Sequence, residues 1–173
     1  MSTNFKQAKS WINSAISDIS IILTAIKKKY FSLVAFKSQF AVEKLNKSIL
    51  SFFGLKIEKI HTPSEILTEI INNQIIISNN EKTKNILKEI IGYSIFFESQ
   101  GTKTRYGIVQ NENLISAEEI YSKLEDVKEF IERLVAFINL YLILLKDIFN
   151  INEIDFKEIK KLKSSIRKLK KWI

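Results

Sequence analysis

The sequence has no cysteine, one histidine, one proline and four glycines among 173 residues. Without cysteine the chain can form no disulfide framework, no thiolate nucleophile and no cysteine-based metal site. The single histidine, His61, excludes any site built from several histidines. Scarce glycine and proline disfavour a turn-rich β architecture and favour long helices. We therefore expect an all-α protein with neither a metal nor a cofactor.

Long hydrophobic runs are also missing. The longest mostly apolar stretch, residues 134–145, is interrupted by Asn139 and is shorter than the roughly 20 residues that span a bilayer. The first residues, MSTNFKQAKSW, lack the unbroken apolar run of a signal peptide. Absence of cysteine agrees with a reducing compartment. We expect a cytoplasmic protein with no membrane span.

Hydrophobic periodicity is what the sequence has in abundance, since 46% of its residues are hydrophobic. In residues 30–54 apolar side chains recur every three or four positions, which places them on one face of a helix. This face is wide, so neighbouring helices must cover it. Its members are Leu33, Phe36, Phe40, Ala41, Leu45, Ile49, Leu50 and Phe53.

Similar patterns predict further helices at residues 3–28, 81–97 and 153–173, the first lying antiparallel to the central helix. Thr62, Pro63 and Glu65 indicate a capped helix start. Ser116 and Glu119 form a second capping box, which we expect to open the longest helix. The run IIIS at 75–78 resembles a strand, but no partner strand is evident.

These elements predict an up-and-down bundle of about five core helices in residues 1–150. Residues 98–115 lack periodicity, and connections of this length are usually functional or disordered. Residues 151–173 should form a basic amphipathic helix packed on the bundle or extending it. Residues 155–173 carry eight basic and two acidic side chains, so most of the net charge of +8 lies there. Such a helix can bind an anionic membrane, follow a nucleic-acid backbone or close the bundle, and closure is the most economical.

The aperiodic loop holds the first candidate site, formed by Lys103, Arg105 and Tyr106. Arginine offers a planar fork for phosphate, and a neighbouring tyrosine can stack on a base. Alternatively, Arg105 ties the loop to helix termini. Lys44 and Lys47 on the central helix are further binding candidates, although Lys47 also suits an ordinary surface ion pair with the glutamate four residues earlier.

Two other groups favour structural interpretations. His61 can titrate near neutrality, but it precedes a helix start without an obvious catalytic partner. The acidic residues at the start of the longest helix invite a metal hypothesis, yet acids at that end favour the helix dipole. They are Glu118, Glu119, Glu125, Asp126 and Glu129.

The order of several residues between positions 11 and 67 resembles the HEPN domain family. Arg105-Tyr106 matches the family's RY pair, with Gly107 where a proline is common. The resemblance covers residues 8–145 and leaves the basic tail outside. The other matching positions are Trp11, Ala15, Asp18-Ile19, Tyr30, Ala35-Phe36, Gln39, Ala41, Glu43-Lys44, Lys47, Gly54 and His61.

The resemblance implies a bundle of about five helices, commonly a homodimer, that binds nucleotide or RNA. Many members are ribonuclease toxins paired with a minimal nucleotidyltransferase antitoxin, and their nuclease motif is an arginine followed four to six residues later by a histidine. Neither Arg105 nor Arg133 is followed by a histidine at that spacing, and His61 precedes both. We therefore expect a noncatalytic nucleotide- or RNA-binding module, which could form the toxin-like half of such a pair. A divergent metal-independent ribonuclease and an interaction subunit without a nucleotide ligand are the alternatives.

Overall fold

The computed structural model describes residues 4–57, 60–73, 81–154 and 156–173 and confirms the all-α class. The described helices are α1 (Phe5–Lys27), α2 (Phe31–Phe52), α3 (Pro63–Asn72), α4 (Glu81–Ser99), α5 (Lys103–Tyr106), α6 (Ala117–Ile120), α7 (Leu124–Asp147) and α8 (Lys157–Leu169), followed by a 3-10 turn, Lys170–Trp172. A small antiparallel hairpin joins α5 to α6 through β1 (Ile108–Gln110) and β2 (Asn113–Ile115).

Helices α1 and α2 form the antiparallel pair that the sequence predicts. The backbone N–H of Asn4, the N-cap of α1, donates to the carbonyl oxygen of Ser51 near the end of α2 at 3.0 Å. The contact face of α1 repeats every three or four residues, as an amphipathic helix requires. Its fully buried members are Ala8, Ile12, Ala15, Ile19 and Ile22.

Helix α7 is central within the single chain. Leu134, Phe137, Ile138 and Tyr141 have no exposed surface, because α7 packs against α2, α4 and α8. The nearly all-round apolar pattern of residues 134–145 is therefore largely covered by the chain itself, and only Ile143 among the large apolar side chains of this stretch is exposed.

The C-terminal helix α8 closes the bundle. It lies on α1 and α7, and its apolar face is buried while the lysines on the other side remain in solvent. The buried residues of this face are Ile159, Leu162, Ile166 and Leu169.

Two capping predictions need correction. The capping box of Ser116 and Glu119 is present, but it opens the short helix α6, and the long helix α7 begins only at Leu124. Thr62 is the N-cap of α3 but makes no side-chain capping bond. Instead, the carboxylate of Glu98 accepts the backbone N–H and the hydroxyl of Ser64, so the first turn of α3 is capped from α4 rather than from its own sequence.

Residues 98–115, which lack periodicity in the sequence, form the end of α4, α5 and the hairpin. Gly107 makes this path possible. Its φ of +80° is unfavourable for other residues, and a Cβ there would lie 1.9 Å from the carbonyl oxygen of Ile115. Proline, whose φ is fixed near −65°, cannot occupy this position either.

The run at residues 75–78 lies outside the described residues. None of the helices that the structure describes is long and apolar enough to cross a membrane.

Candidate functional site

Two phenylalanines form an aromatic surface on α2 where the sequence predicts core residues. Phe36 and Phe40 lie one helical turn apart and are only half-buried. Their rings meet edge to face with centroids 4.7 Å apart. Because they are not fully enclosed, they offer a platform on which cations can stack.

Three cationic side chains surround this platform. The Cζ of Arg105 lies 5.2 Å from the ring centre of Phe36 and 4.8 Å from that of Phe40. The Nζ of Lys37 lies 5.5 Å from both ring centres, and the Nζ of Lys44 lies 5.7 Å from Phe40. We call Phe36, Lys37, Phe40, Lys44 and Arg105 the aromatic–cationic patch.

One buried carboxylate fixes the two lysines of the patch. The side chain of Asp18 on α1 is only 3% exposed. Its Oδ1 accepts from Lys37 Nζ at 3.0 Å, and its Oδ2 accepts from Lys44 Nζ at 2.5 Å. Since one carboxylate is shared by two ammonium groups, Asp18, Lys37 and Lys44 keep a net positive charge, and Arg105 adds to it.

The position of Arg105 is set by its neighbour Thr104. The hydroxyl of the buried Thr104 donates to Oε1 of Gln39 on α2 at 2.9 Å, which ties α5 to the central helix. Arg105 itself is exposed and has no ion pair within residues 4–57, 60–73, 81–154 and 156–173. Its guanidinium can therefore offer its in-plane N–H donors to an anion while its face remains stacked on the rings.

The other two residues of the loop prediction have different surroundings. The Nζ of Lys103 lies 5.9 Å from the ring centre of Tyr121, at the end of α6, rather than over Phe36 or Phe40. Tyr106 directly follows Arg105 and is 67% exposed. Arg105 and Lys44 thus share one surface, with Tyr106 next to Arg105 in the chain.

The sequence matches the HEPN domain over residues 8–139, which is most of the chain and includes every residue of the patch. The chain belongs to the HEPN domain family. No curated protein matches it significantly, and no solved structure does so. The match ends within α7, so α8 lies outside the matched residues.

Lys47 of this HEPN domain does not join the patch. Its side chain is 6% exposed, donates to Oε1 of Glu43 at 2.6 Å and lies 4.9 Å from the ring centre of Trp11. The predicted surface ion pair is therefore a largely buried one. His61 is 85% exposed, with its Nδ1 3.8 Å from Glu43.

A second carboxylate, Glu98, lies near Glu43. Burial raises its pKa above the usual value, and the charges of Glu65 and Glu43 act in the same direction. The hydrogen bonds from Ser64 oppose this shift but do not cancel it. Glu98 therefore holds its proton more tightly in the folded chain than a solvated glutamate does.

Two of the acidic residues in the metal hypothesis cap helices, Glu119 at the start of α6 and Asp126 at the start of α7. Ser116 donates to Glu119 from its backbone N–H, and hydrogen bonds from Ser116 lower the pKa of that carboxyl. Desolvation alone would raise the pKa of Asp126. Backbone hydrogen bonds from Lys123 and Ser122, together with the charge of Lys123, outweigh this effect, so the pKa of Asp126 is lowered overall. Within the described ranges no group of three or more His, Cys, Asp or Glu side chains could hold a metal ion.

Sequence reasoning missed Lys37, Asp18 and the surface role of the two phenylalanines. A signal existed, because Lys37, Phe40 and Lys44 are spaced three and four residues apart and so share one helical face. Asp18 is one of the residues on which the family resemblance rests. An aspartate on the apolar face of a helix also indicates a cationic partner, because a buried unpaired carboxylate is strongly destabilising.

Proposed function

We propose that this HEPN domain binds the phosphate groups of a nucleotide or of RNA on the aromatic–cationic patch without cleaving them. The observation that carries the proposal is the stacking of Arg105 on Phe40 at 4.8 Å, with two lysines beside it and with no ion pair of the guanidinium to any described residue. A guanidinium held by its face is already oriented, so little side-chain entropy is lost when it grips a phosphate.

Each residue of the site has a distinct role in this proposal. Arg105 holds a phosphate through two parallel hydrogen bonds, and Lys44 and Lys37 add charge from the neighbouring turns of α2. Tyr106 stacks on a base or orients it. Lys103 extends the positive charge toward α6. Lys47 has no direct part, since its ammonium is committed to Glu43.

Absence of the arginine–histidine spacing from the sequence supports binding without cleavage. Arg133, the other arginine that a divergent ribonuclease could use, donates to Glu129 at 2.7 Å and lies 4.1 Å over Phe96. Cleavage of RNA by the metal-free protein, lost when Arg105 or Arg133 is replaced by alanine, would replace this proposal with the ribonuclease alternative.

A cytoplasmic homodimer, or the toxin-like half of a pair with a nucleotidyltransferase antitoxin, completes the proposal. The apolar side chains of the hairpin support a protein partner, since Val109 is 74% and Leu114 65% exposed. Light scattering on the purified chain distinguishes a dimer from a monomer. An interaction subunit without a ligand predicts a partner at this surface and no effect of any nucleotide.

A thermal-melt titration with ATP, GTP and a short single-stranded RNA tests the binding function. A ligand that binds only the folded chain stabilises it by about 2.7 kcal/mol at 100 times its Kd, which for this length is a rise in Tm of roughly 5–10 °C. Arg105→Ala should abolish the rise with ATP or GTP and leave the Tm of the unliganded protein nearly unchanged.

Arg133→Ala is the matched control, because Arg133 also stacks on a phenylalanine and its loss changes the net charge equally. It should retain the ligand-induced rise. No rise with any of the three ligands in the wild-type protein would refute the nucleotide proposal.

A further inference from the structure

A second cationic surface lies between α1 and the C-terminal segment. A cavity of about 530 Å³ opens there, and we call it the α1–α8 groove. Its lining comes from α1, from the last turn of α8 and from the 3-10 turn that follows. The lining residues are Ser20, Leu23, Lys27, Lys168, Lys171 and Trp172.

The three lysines of the groove leave its charge uncompensated. Lys27, Lys168 and Lys171 are exposed, and none of them has an ion pair with an acid in the part of the chain that the structure describes. Elsewhere, by contrast, Lys163 pairs with Glu153 and Lys82 with Asp147. Three uncompensated ammonium groups around one concavity attract a polyanion.

Trp172 gives the groove an aromatic wall. It is half-buried and packs against the hydrophobic core, so its position is fixed by the bundle. An indole in a positively charged groove matches the usual arrangement for single-stranded nucleic acid, in which lysines follow the phosphates and an aromatic ring stacks on a base.

The groove is separate from the aromatic–cationic patch. Asp18, which holds the lysines of the patch, and Lys27 are nine residues apart on α1, which is about two and a half helical turns. Their side chains therefore leave α1 on opposite sides.

A membrane is a poor occupant for this surface. A helix that binds a bilayer must insert an apolar face, but Leu162 and Leu169 of α8 are fully buried against the bundle. Only the lysine side of α8 and the concave groove remain accessible. Charge and shape together favour a flexible polyanion with bases over a lipid surface.

We propose that the α1–α8 groove is a second binding site for single-stranded RNA, with phosphates on Lys27, Lys168 and Lys171 and a base stacked on Trp172. The site extends the proposed function to RNA contacts that include Lys168, Lys171 and Trp172 beyond the matched residues 8–139, and it depends on none of the residues of the patch. A mononucleotide can occupy the patch alone, whereas the groove with its three lysines suits several consecutive phosphates.

Tryptophan fluorescence reports directly on this groove. The chain has two tryptophans, and Trp11→Phe leaves Trp172 as the sole indole. This replacement removes no hydrogen bond to a described residue, because the Trp11 Nε1 is unpaired there. Titration of this variant with a single-stranded oligouridylate should quench the Trp172 emission in a saturable manner.

Salt dependence measures the phosphate contacts. For single strands, log K falls with log salt by about 0.7 per contacted phosphate, so Lys27→Ala/Lys168→Ala/Lys171→Ala should reduce the slope by about 2. Fluorescence anisotropy of labelled RNA provides the slope. Trp172→Ala should weaken RNA binding roughly five- to hundredfold, and Trp172→Phe should recover most of that loss.

The charge-matched control is Lys88→Ala/Lys128→Ala/Lys146→Ala, which removes three exposed lysines of α4 and α7. It should keep the quenching and most of the salt slope. An equal effect of the two triple variants, or Trp172 emission that RNA leaves unchanged, would overturn the proposal. So would a response of Trp172 to phosphatidylserine vesicles but not to RNA.

Arg105→Ala separates the two sites. It should remove the ATP- or GTP-induced rise in Tm but leave the quenching of Trp172 by RNA. If RNA quenches Trp172 while no nucleotide raises the Tm, the groove proposal stands and the patch fails as a nucleotide site. The reverse result would refute the groove alone.

Discussion

Lys44 on α2 donates from its Nζ to the Oδ2 of Asp18 on α1 at 2.5 Å, across the interface between these two antiparallel helices. The carboxylate is almost completely buried, whereas the ammonium reaches the surface beside Phe40. The pair therefore links the core to the aromatic–cationic patch.

Asp18→Asn tests how much this link contributes. The replacement keeps the side-chain volume but leaves Lys37 and Lys44 without an anion, so we expect a loss of about 2 kcal/mol in the free energy of unfolding. The cost is below that of a fully buried pair because both lysines can regain some water. Urea denaturation at pH 7 measures it.

Glu129→Gln is the control for Asp18→Asn. Glu129 pairs with Arg133 on an exposed face, where such pairs contribute at most about 1 kcal/mol. If Asp18→Asn unfolds at the same urea concentration as the wild type, the carboxylate does not hold the two helices together.

Glu98→Gln should change the pH dependence of stability. The folded chain raises the pKa of Glu98, so its contribution is fully present below the ordinary value of 4.5 and is lost as pH rises through the folded pKa. Glutamine keeps partners for the backbone N–H and hydroxyl of Ser64 without titrating. The wild type should therefore lose stability relative to Glu98→Gln between pH 4 and 7.

Urea denaturation of both proteins across that range gives the difference directly. Glu119 and Asp126, whose pKa values are lowered, produce a slope of opposite sign, but it is common to both proteins and cancels. A difference that is constant with pH, or that grows in favour of the wild type, contradicts a raised pKa of Glu98.

Tyr141→Phe should weaken the core by about 1 kcal/mol through the loss of one hydrogen bond. The Oγ of Ser48 donates to the carbonyl oxygen of Leu45 at 2.6 Å, so the Tyr141 hydroxyl is the donor in the 2.7 Å bond between the two side chains. Burial raises the pKa of Tyr141, so its hydroxyl keeps the donated proton at neutral pH.

Tyr106→Phe makes the same chemical change on an exposed residue and should leave the urea midpoint unchanged. Equal midpoints for the two variants would mean that the Ser48–Tyr141 bond contributes no net stability.

Gly107→Ala should disrupt the junction between α5 and the hairpin. The new Cβ would lie 1.9 Å from the carbonyl oxygen of Ile115 at a φ of +80°, so we expect a loss of at least about 2 kcal/mol in stability. Arg105 is two residues away, and nucleotide binding should weaken with it. Thermal melting with and without ATP measures both effects.

Gly92→Ala should change stability in the opposite direction from Gly107→Ala. Gly92 lies in α4, and no described residue beyond the neighbouring backbone of α4 lies within 4 Å of an added Cβ; alanine is also the better helix former by roughly 0.5–1 kcal/mol. A rise in Tm for Gly92→Ala and a fall for Gly107→Ala are expected. A rise for both would show that the hairpin moves to accommodate the methyl group.

Helical periodicity predicted the long helices because their faces are buried over many turns. The antiparallel pairing of α1 with α2 followed from the short connection between them, and packing of the C-terminal helix on the bundle was one of three alternatives that its amphipathic pattern allowed. Hydrophobic periodicity did not predict the short elements. Helix α5 has four residues and each hairpin strand three, so neither contains enough periods to register, and their positions depend on tertiary contacts such as Thr104 with Gln39.

The candidate site was only partly predictable for a related reason. Arg105 and Lys44 could be named from residue type, but their meeting requires the fold that carries α5 over α2. Phe36 and Phe40 fit the apolar period of α2 and were assigned to the core, since periodicity does not distinguish a buried ring from a ring covered by a cation. Lys47 was misplaced because a buried ion pair and an exposed one have the same spacing.

Helix α1 carries the side chain that anchors the patch on one side and a lysine of the groove on the other, about 13.5 Å further along its axis. An RNA strand that touches both surfaces must pass around a rigid rod roughly 10–12 Å wide. Very short oligonucleotides therefore occupy one surface at a time and show the weaker affinity of a single contact. Above the length that spans α1, the second contact becomes intramolecular, and affinity should rise abruptly with chain length.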